Sequence, residues 1–185
     1  MKVVFRKAVP EDAPLLALTR QKVWDATYRG IYPDEMIDQY DLASFTEKDS
    51  KRITDPKNKV WLAMDGEDCV GYLVVGPCGF GSYKDFNFCL NSLYLLPPYQ
   101  NRGLGRKAFE LTAAECRRRG LDRFFCSCSP HNQNAMGFYE HMGGVLSAQS
   151  LGHENRAEDA VYYEFLLNAS PIIDGPGNPV PATCT

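Results

Sequence analysis

Gly103 and Gly105 stand one residue apart in the stretch Gln100-Asn101-Arg102-Gly103-Leu104-Gly105-Arg106. An apolar run over residues 90–96 leads in, Pro97-Pro98-Tyr99 turns the chain, and a helical pattern over residues 106–119 leads out. Glycines between a strand and a helix start let the backbone curl tightly. The N–H groups of such a curl point the same way and make an anion site, most often for phosphate. Two readings fit the loop alone: a cradle for the pyrophosphate of a nucleotide-like cofactor, or an ordinary strand–helix turn.

The neighbouring residues narrow the first reading. A P-loop needs Lys and then Ser or Thr after its last glycine. Here Arg106 and Lys107 follow Gly105, so no hydroxyl stands at the metal-binding position. Residues 103–108 do match the dinucleotide string G-x-G-x-x-A. The roughly hundred residues before them, however, are not a βαβ repeat, and the next strand ends in Cys126-Ser127-Cys128 with no acid for a ribose hydroxyl.

Other reactive residues carry less. Cys126 and Cys128 would lie on one face of a strand, at the wrong spacing for a paired zinc site, and are expected to pack as small apolar groups. No metal site is expected. Arg117-Arg118-Arg119 closes the predicted helix, where cations suit the dipole. With a net charge of -3, neither nucleic acid nor an anionic membrane is an expected partner. Seven cysteines, an N-terminus that meets Lys2 and Arg6 at once, and no apolar run of spanning length predict a reducing cytoplasm with free thiols.

The elements that must position the loop follow from periodicity and turn chemistry. A first strand is expected over residues 3–8, then a helix opened by Pro10-Glu11-Asp12 and ended at Gly30. Pro33-Asp34-Glu35 opens a second helix, and Ser44-x-x-Glu47 predicts a capping box for a third. Residues 60–64 and 70–75 form a hairpin around Asp65-Gly66-Glu67-Asp68. After a glycine-rich loop over residues 76–83, a long strand covers 86–96, with Asn91-Ser92 marking a bulge or a splayed segment. Strand 121–128 runs parallel to it across the crossover helix. A helix over 132–142, a polar segment at 149–159 and closing strands at 145–148 and 160–167 complete one mixed α/β domain over residues 1–167. Residues 168–185 are a Pro/Gly-rich tail.

Taken together, Leu93-Tyr94-Leu95, Gln100-x-Arg102-Gly103-x-Gly105 and Asn132-x-x-Ala135-x-x-Phe138-Tyr139-Glu140-x-Met142-Gly143 resemble the GCN5-related N-acetyltransferase (GNAT) family. The resemblance implies an α/β (α+β) fold: a central mixed, largely antiparallel sheet with a splayed parallel strand pair and helices on both faces. It implies acetyl-CoA as cosubstrate, its pyrophosphate on the loop of Gln100, Asn101, Arg102, Gly103, Leu104, Gly105 and Arg106. Backbone groups of Leu93, Tyr94 and Leu95 would pair with the pantetheine arm, as in adding a strand to an open edge. One N–H there would hold the developing oxyanion. Asn132 matches a cofactor-contacting position and equally reads as a helix N-cap. Tyr139 matches the general acid that protonates the departing thiolate, a role suited to a hydroxyl with a reference pKa near ~10.

The resemblance implies transfer to a primary amine by direct attack, on a small molecule or a peptide, by a monomer or homodimer. A non-catalytic acyl-CoA-binding sensor or partner module is the alternative on the same fold. The base is open. Ser127 stands where family members carry a carboxylate, and Asp85, His131, His153, Glu154 or a water relay remain as candidates. On the acceptor side the link over residues 24–32 offers Tyr28, beside Asn91, with Asp25 or Asp34 as attractors of a cation.

Overall fold

The computed structural model describes residues 3–78 and 87–167. In chain order it contains Val4–Lys7 (β1), Ala13–Tyr28 (α1), Asp34–Asp38 (α2), Leu42–Thr54 (α3), Lys59–Asp65 (β2) and Asp68–Gly76 (β3). Cys89–Leu95 (β4), Leu104–Arg118 (α4), Arg123–Cys128 (β5), Gln133–His141 (α5), Val145–Ser150 (β6) and Ala160–Leu166 (β7) follow. The strands form one sheet in the order β1-β2-β3-β4-β5-β7-β6. All neighbours are antiparallel except β4 and β5. This is the mixed sheet with one parallel pair that the resemblance implies.

β3 is buried on both faces, and its alternation divides the core in two. Leu73 and Val75 pack with Phe124, Tyr163 and Phe165, beneath Ala108 of α4 and Tyr139 of α5. Tyr72 and Val74 face the other way, onto Leu16 and Val23 of α1. A strand whose odd and even side chains are both apolar must be covered on both sides.

One polar network crosses the second core. Arg20 of α1 donates from Nη2 to Asp49 Oδ1 of α3 at 2.7 Å, and from Nη1 to the Tyr72 hydroxyl at 3.0 Å. Arg20 is 4% exposed and Asp49 0%. Buried charges persist when paired and hydrogen-bonded, so this pair locks α1, α3 and β3 to one another. Nothing in the spacing of Arg20 and Asp49 signals it.

Two sequence expectations are corrected here. α3 starts at Leu42, and its cap is Asp41, whose Oδ1 accepts from Ser44 N at 3.0 Å. Ser44 is therefore already inside the helix rather than its cap. Nor are all the thiols free: Cys78 and Cys89 form a disulfide. The β3/β4 register sets Cys89 opposite Gly76, which brings Cys78 within bonding reach although it lies eleven residues away in sequence. Most of the glycine-rich loop, Asp85, the start of the expected strand at 86 and the tail over 168–185 lie outside the described residues. The polar segment before β7 contains a 3-10 turn, Arg156–Glu158, capped by Asn155.

The feature that positions the site is the divergence of β4 from β5. They pair only at Cys89↔Phe125 and Leu90↔Cys126. On the other edge of β4 the register steps from Val75↔Leu90 to Val74↔Ser92, so Asn91 is an extra, bulged residue. A bulge bends its strand and increases its twist. It falls immediately after the last residue paired with β5, and from there β4 leaves its parallel neighbour.

Candidate active site

A cleft of about 1030 Å³ opens where β4 and β5 part. Its floor includes Asn91, Ser92, Leu93, Tyr94 and Leu95 of β4. On this side of β4 the strand ladder with β5 has ended, so an edge is available for a ligand's amide groups.

The Gln100–Arg106 loop closes one end. Asn101 and Gly103 have φ of +57° and +77°, the left-handed region. Asn tolerates that region through its short polar side chain, and Gly has no Cβ to clash. The two turns reverse the chain and start α4 at Leu104. The first N–H groups of a helix have no acceptor within it, and over fifteen residues the helix dipole reinforces them toward an anion. Gln100, Asn101, Gly103, Gly105 and Arg106 line the cleft. Two expected members do not. Leu104 turns inward and is buried, and Arg102 lies over the Tyr99 ring at 5.5 Å. Gln100 also braces the loop. Its Nε2 donates to Leu95 O at 3.0 Å, tying the loop to the end of β4.

Gly105 explains why this loop and α5 come as a pair. A Cβ on Gly105 would stand 2.8 Å from Cε2 of Phe138. Only glycine lets the aromatic ring of α5 pack onto the first turn of α4. That contact fixes α5 against the loop and sets Tyr139, the next residue, on the core side of the helix. Asn132 caps α5, its Oδ1 accepting from Ala135 N at 3.1 Å. It also lines the cleft, with its amide NH2 as the donor end that remains.

Tyr139 is 6% exposed, lines the cleft and lies beside the Cys126 thiol. Burial pushes its hydroxyl well above the ordinary tyrosine range, with the Cys126 and Cys128 thiols adding to the effect. It is a buried proton donor at neutral pH. The Cys126 thiol is itself pushed up by burial, so it packs as a neutral group.

The opposite end is aromatic. The Tyr28 hydroxyl meets the Tyr94 hydroxyl at 2.6 Å, and the Tyr28 ring stacks on Tyr32 at 4.5 Å. Desolvation raises the Tyr28 and Tyr94 hydroxyls, so both stay neutral. Tyr32 in turn lies close to Ser129, just past β5. Asp25 and Asp34, expected as attractors of a cation, are both paired with Arg29, at 2.5 and 3.1 Å. Trp24 packs against Tyr28 and Phe45 in the core. Of the candidate bases, His131 lines the cleft. The Arg117–Arg119 cluster lies elsewhere: Glu115 accepts from Arg118 at 2.7 Å and from Arg119 at 2.9 Å, and Arg118 foremost lowers its pKa to about 2.

The model of the acetyltransferase (GNAT) family matches residues 20–144, more than half of the chain and the span that contains β4, the loop and α5. The chain belongs to the GNAT acetyltransferase family. No curated protein matches it in sequence. Solved GNAT-fold structures superpose along nearly their whole length. The PaiA N-acetyltransferase of Thermoplasma acidophilum, in complex with coenzyme A, shares 19% identity at a TM-score of 0.74, covering 90% of this chain and 99% of that one. YncA of Salmonella typhimurium, with its cofactor acetyl-CoA, shares 18% identity at 0.66, with full coverage of both chains. The ribosomal-protein-alanine N-acetyltransferase of Brucella melitensis shares 20% at 0.67, covering 89% and 99%. At these identities the likeness is one of fold. The site's own residues must carry the function. Among the described residues no helix is long and apolar enough to cross a membrane.

Proposed function

We propose that this GNAT protein is an acetyl-CoA-dependent N-acetyltransferase that moves the acetyl group to a primary amine by direct attack within a ternary complex. The observation that carries the reading is a buried, protonated Tyr139 lining the same cleft as the left-handed loop at Asn101 and Gly103. The residues fit the cosubstrate. Main-chain N–H groups at the start of α4 would receive its pyrophosphate, with Arg106 beside them. The open edge of β4 over Leu93, Tyr94 and Leu95 would hold the pantetheine amides. Acetyl-CoA supplies an activated acyl group on a thiol leaving group. A β4 N–H stabilises the negative charge that develops on the carbonyl oxygen. Tyr139 donates its proton to the departing sulfur.

A binding module without turnover would have no use for a buried donor at that place. The test is thiol release from acetyl-CoA across a panel of primary amines, with thermal stability measured alongside. The transferase reading expects a shift in melting temperature with acetyl-CoA, since a saturating ligand stabilises the native state, and amine-dependent thiol release. A shift without release on any amine would favour the module.

A further inference from the structure

Building on the transferase reading, we infer that His131, backed by the Asp159 carboxylate, takes the proton from the attacking amine. His131 follows β5 at the point where the chain turns into α5, and it lines the cleft. Its Nε2 lies 3.6 Å from Asp159 Oδ2, within ion-pair reach of the carboxylate and beyond hydrogen-bond length. The partner carboxylate is itself held. Asp159 Oδ1 accepts from His153 N at 3.0 Å and lies 2.8 Å from His153 Nδ1. It is 9% exposed, and the hydrogen bonds from His153 keep it below the usual carboxylate range, hence ionised. The loop that carries His131 is pinned to β5, with His131 N donating to Ser129 Oγ at 3.3 Å and Asn132 N to Ser129 O at 3.0 Å. A fixed carboxylate at ion-pair distance stabilises the imidazolium that forms when the base takes a proton.

Its position also fits the acceptor. Tyr32, which stacks on Tyr28, lies within electrostatic reach of Ser129 and Asp159, so this wall is continuous with the aromatic end of the cleft. His141, the other histidine lining the cleft, ends α5 beyond Phe138, which packs on the pyrophosphate loop. At about 1.5 Å per residue the nine residues of α5 span roughly 13 Å between its start, next to His131, and His141 at its end. Asp159, from the segment before β7, faces His131 and also pairs with His153, while the Tyr32 hydroxyl, from the α1–α2 link, feels both Asp159 and Cys128.

The proton balance closes with these two residues. An alkylammonium loses two protons on becoming an amide. The N–C bond forms as the C–S bond breaks. One proton ends on the sulfur through Tyr139, and the other leaves through His131 to solvent.

The experiment compares wild type, His131→Gln and Asp159→Asn with acetyl-CoA and two probe amines. One is benzylamine, an alkyl amine protonated at neutral pH; the other is methoxyamine, which is not. Rates are followed from pH 6 to 10. With benzylamine at pH 7, His131→Gln is expected to lower kcat/KM by about 10² to 10³-fold. The loss should shrink at high pH, and methoxyamine should be spared. Asp159→Asn should cost about tenfold, with the same pH and amine dependence. Acetyl-CoA-induced thermal shifts should match wild type in both variants. A His131→Gln rate within twofold of wild type, or an equal loss with both amines at every pH, overturns the base. Wild-type protein that binds acetyl-CoA but transfers to neither probe nor any panel amine overturns the transferase reading and the base with it.

Discussion

At one end of the cleft, Asn101 and Gly103 take left-handed backbone angles and Gly105 presents no side chain to Phe138. What faces a ligand there is largely main-chain N–H. At the other end, Tyr28, Tyr94 and His131 bring three side chains from α1, β4 and the β5–α5 turn, with Tyr32 stacked behind Tyr28. The difference matches what each end must recognise. On the transferase reading, the pyrophosphate arm common to every turnover would be held by backbone geometry, which tolerates only glycine or asparagine at fixed positions. An acceptor is recognised by side chains, which can change without disturbing the fold. Family membership therefore fixes the first end and leaves the second to this chain's own chemistry.

This contrast predicts separable failures. The largest effect on stability belongs to the scaffold beneath the aromatic end. Asp49→Asn leaves Arg20 buried without its countercharge and should lower unfolding free energy by about 3–5 kcal/mol, measured by urea titration. Replacing both partners, Arg20→Met with Asp49→Leu, should recover most of that loss. If the single substitution costs under about 1 kcal/mol, the pair does not lock α1 to α3. Next comes the loop. Gly103→Val forces a β-branched residue into φ +77°, at a cost of about 1–2 kcal/mol. Where the strain is relieved by distorting the loop, acetyl-CoA affinity should fall about tenfold by calorimetry with amine KM unmoved. A rise in amine KM at constant acetyl-CoA affinity would erase the distinction between the two ends. The smallest effect is Tyr28→Phe, which removes the hydrogen bond to Tyr94 and about 1 kcal/mol with it. It should raise amine KM several-fold and leave acetyl-CoA affinity alone.

The two ends also differ in how far they can be read from the chain. The loop and α5 are local in sequence, and their glycine, asparagine and aromatic spacing is imposed by backbone geometry, so Gly103, Gly105, Asn132 and Tyr139 stand out. The β4 bulge is legible too, because Asn91-Ser92 breaks an apolar run. The physical link between the motifs, a Gly105 that makes room for Phe138, needs the packed helices. Asp159 beside His131 is hidden because β7 returns to β5 only through the register Cys128↔Val161. The Arg20–Asp49 pair and the Cys78–Cys89 disulfide are hidden for the same reason. They join residues whose neighbourhood is set by sheet register and helix packing, not by local spacing. Asp41, not Ser44, caps α3 because its carboxylate accepts from the Ser44 N–H three residues on, which puts Ser44 inside the first turn.

At the centre of the proposed mechanism stands a buried tyrosine, Tyr139, that would protonate the leaving thiolate. The decisive quantity is the steady-state rate of amine-dependent thiol release by Tyr139→Phe, with acetyl-CoA affinity measured on the same preparation. A general-acid role predicts a fall in kcat of about 10² to 10⁴-fold, with an acetyl-CoA Kd within about twofold of wild type. Unchanged turnover at unchanged affinity would contradict it.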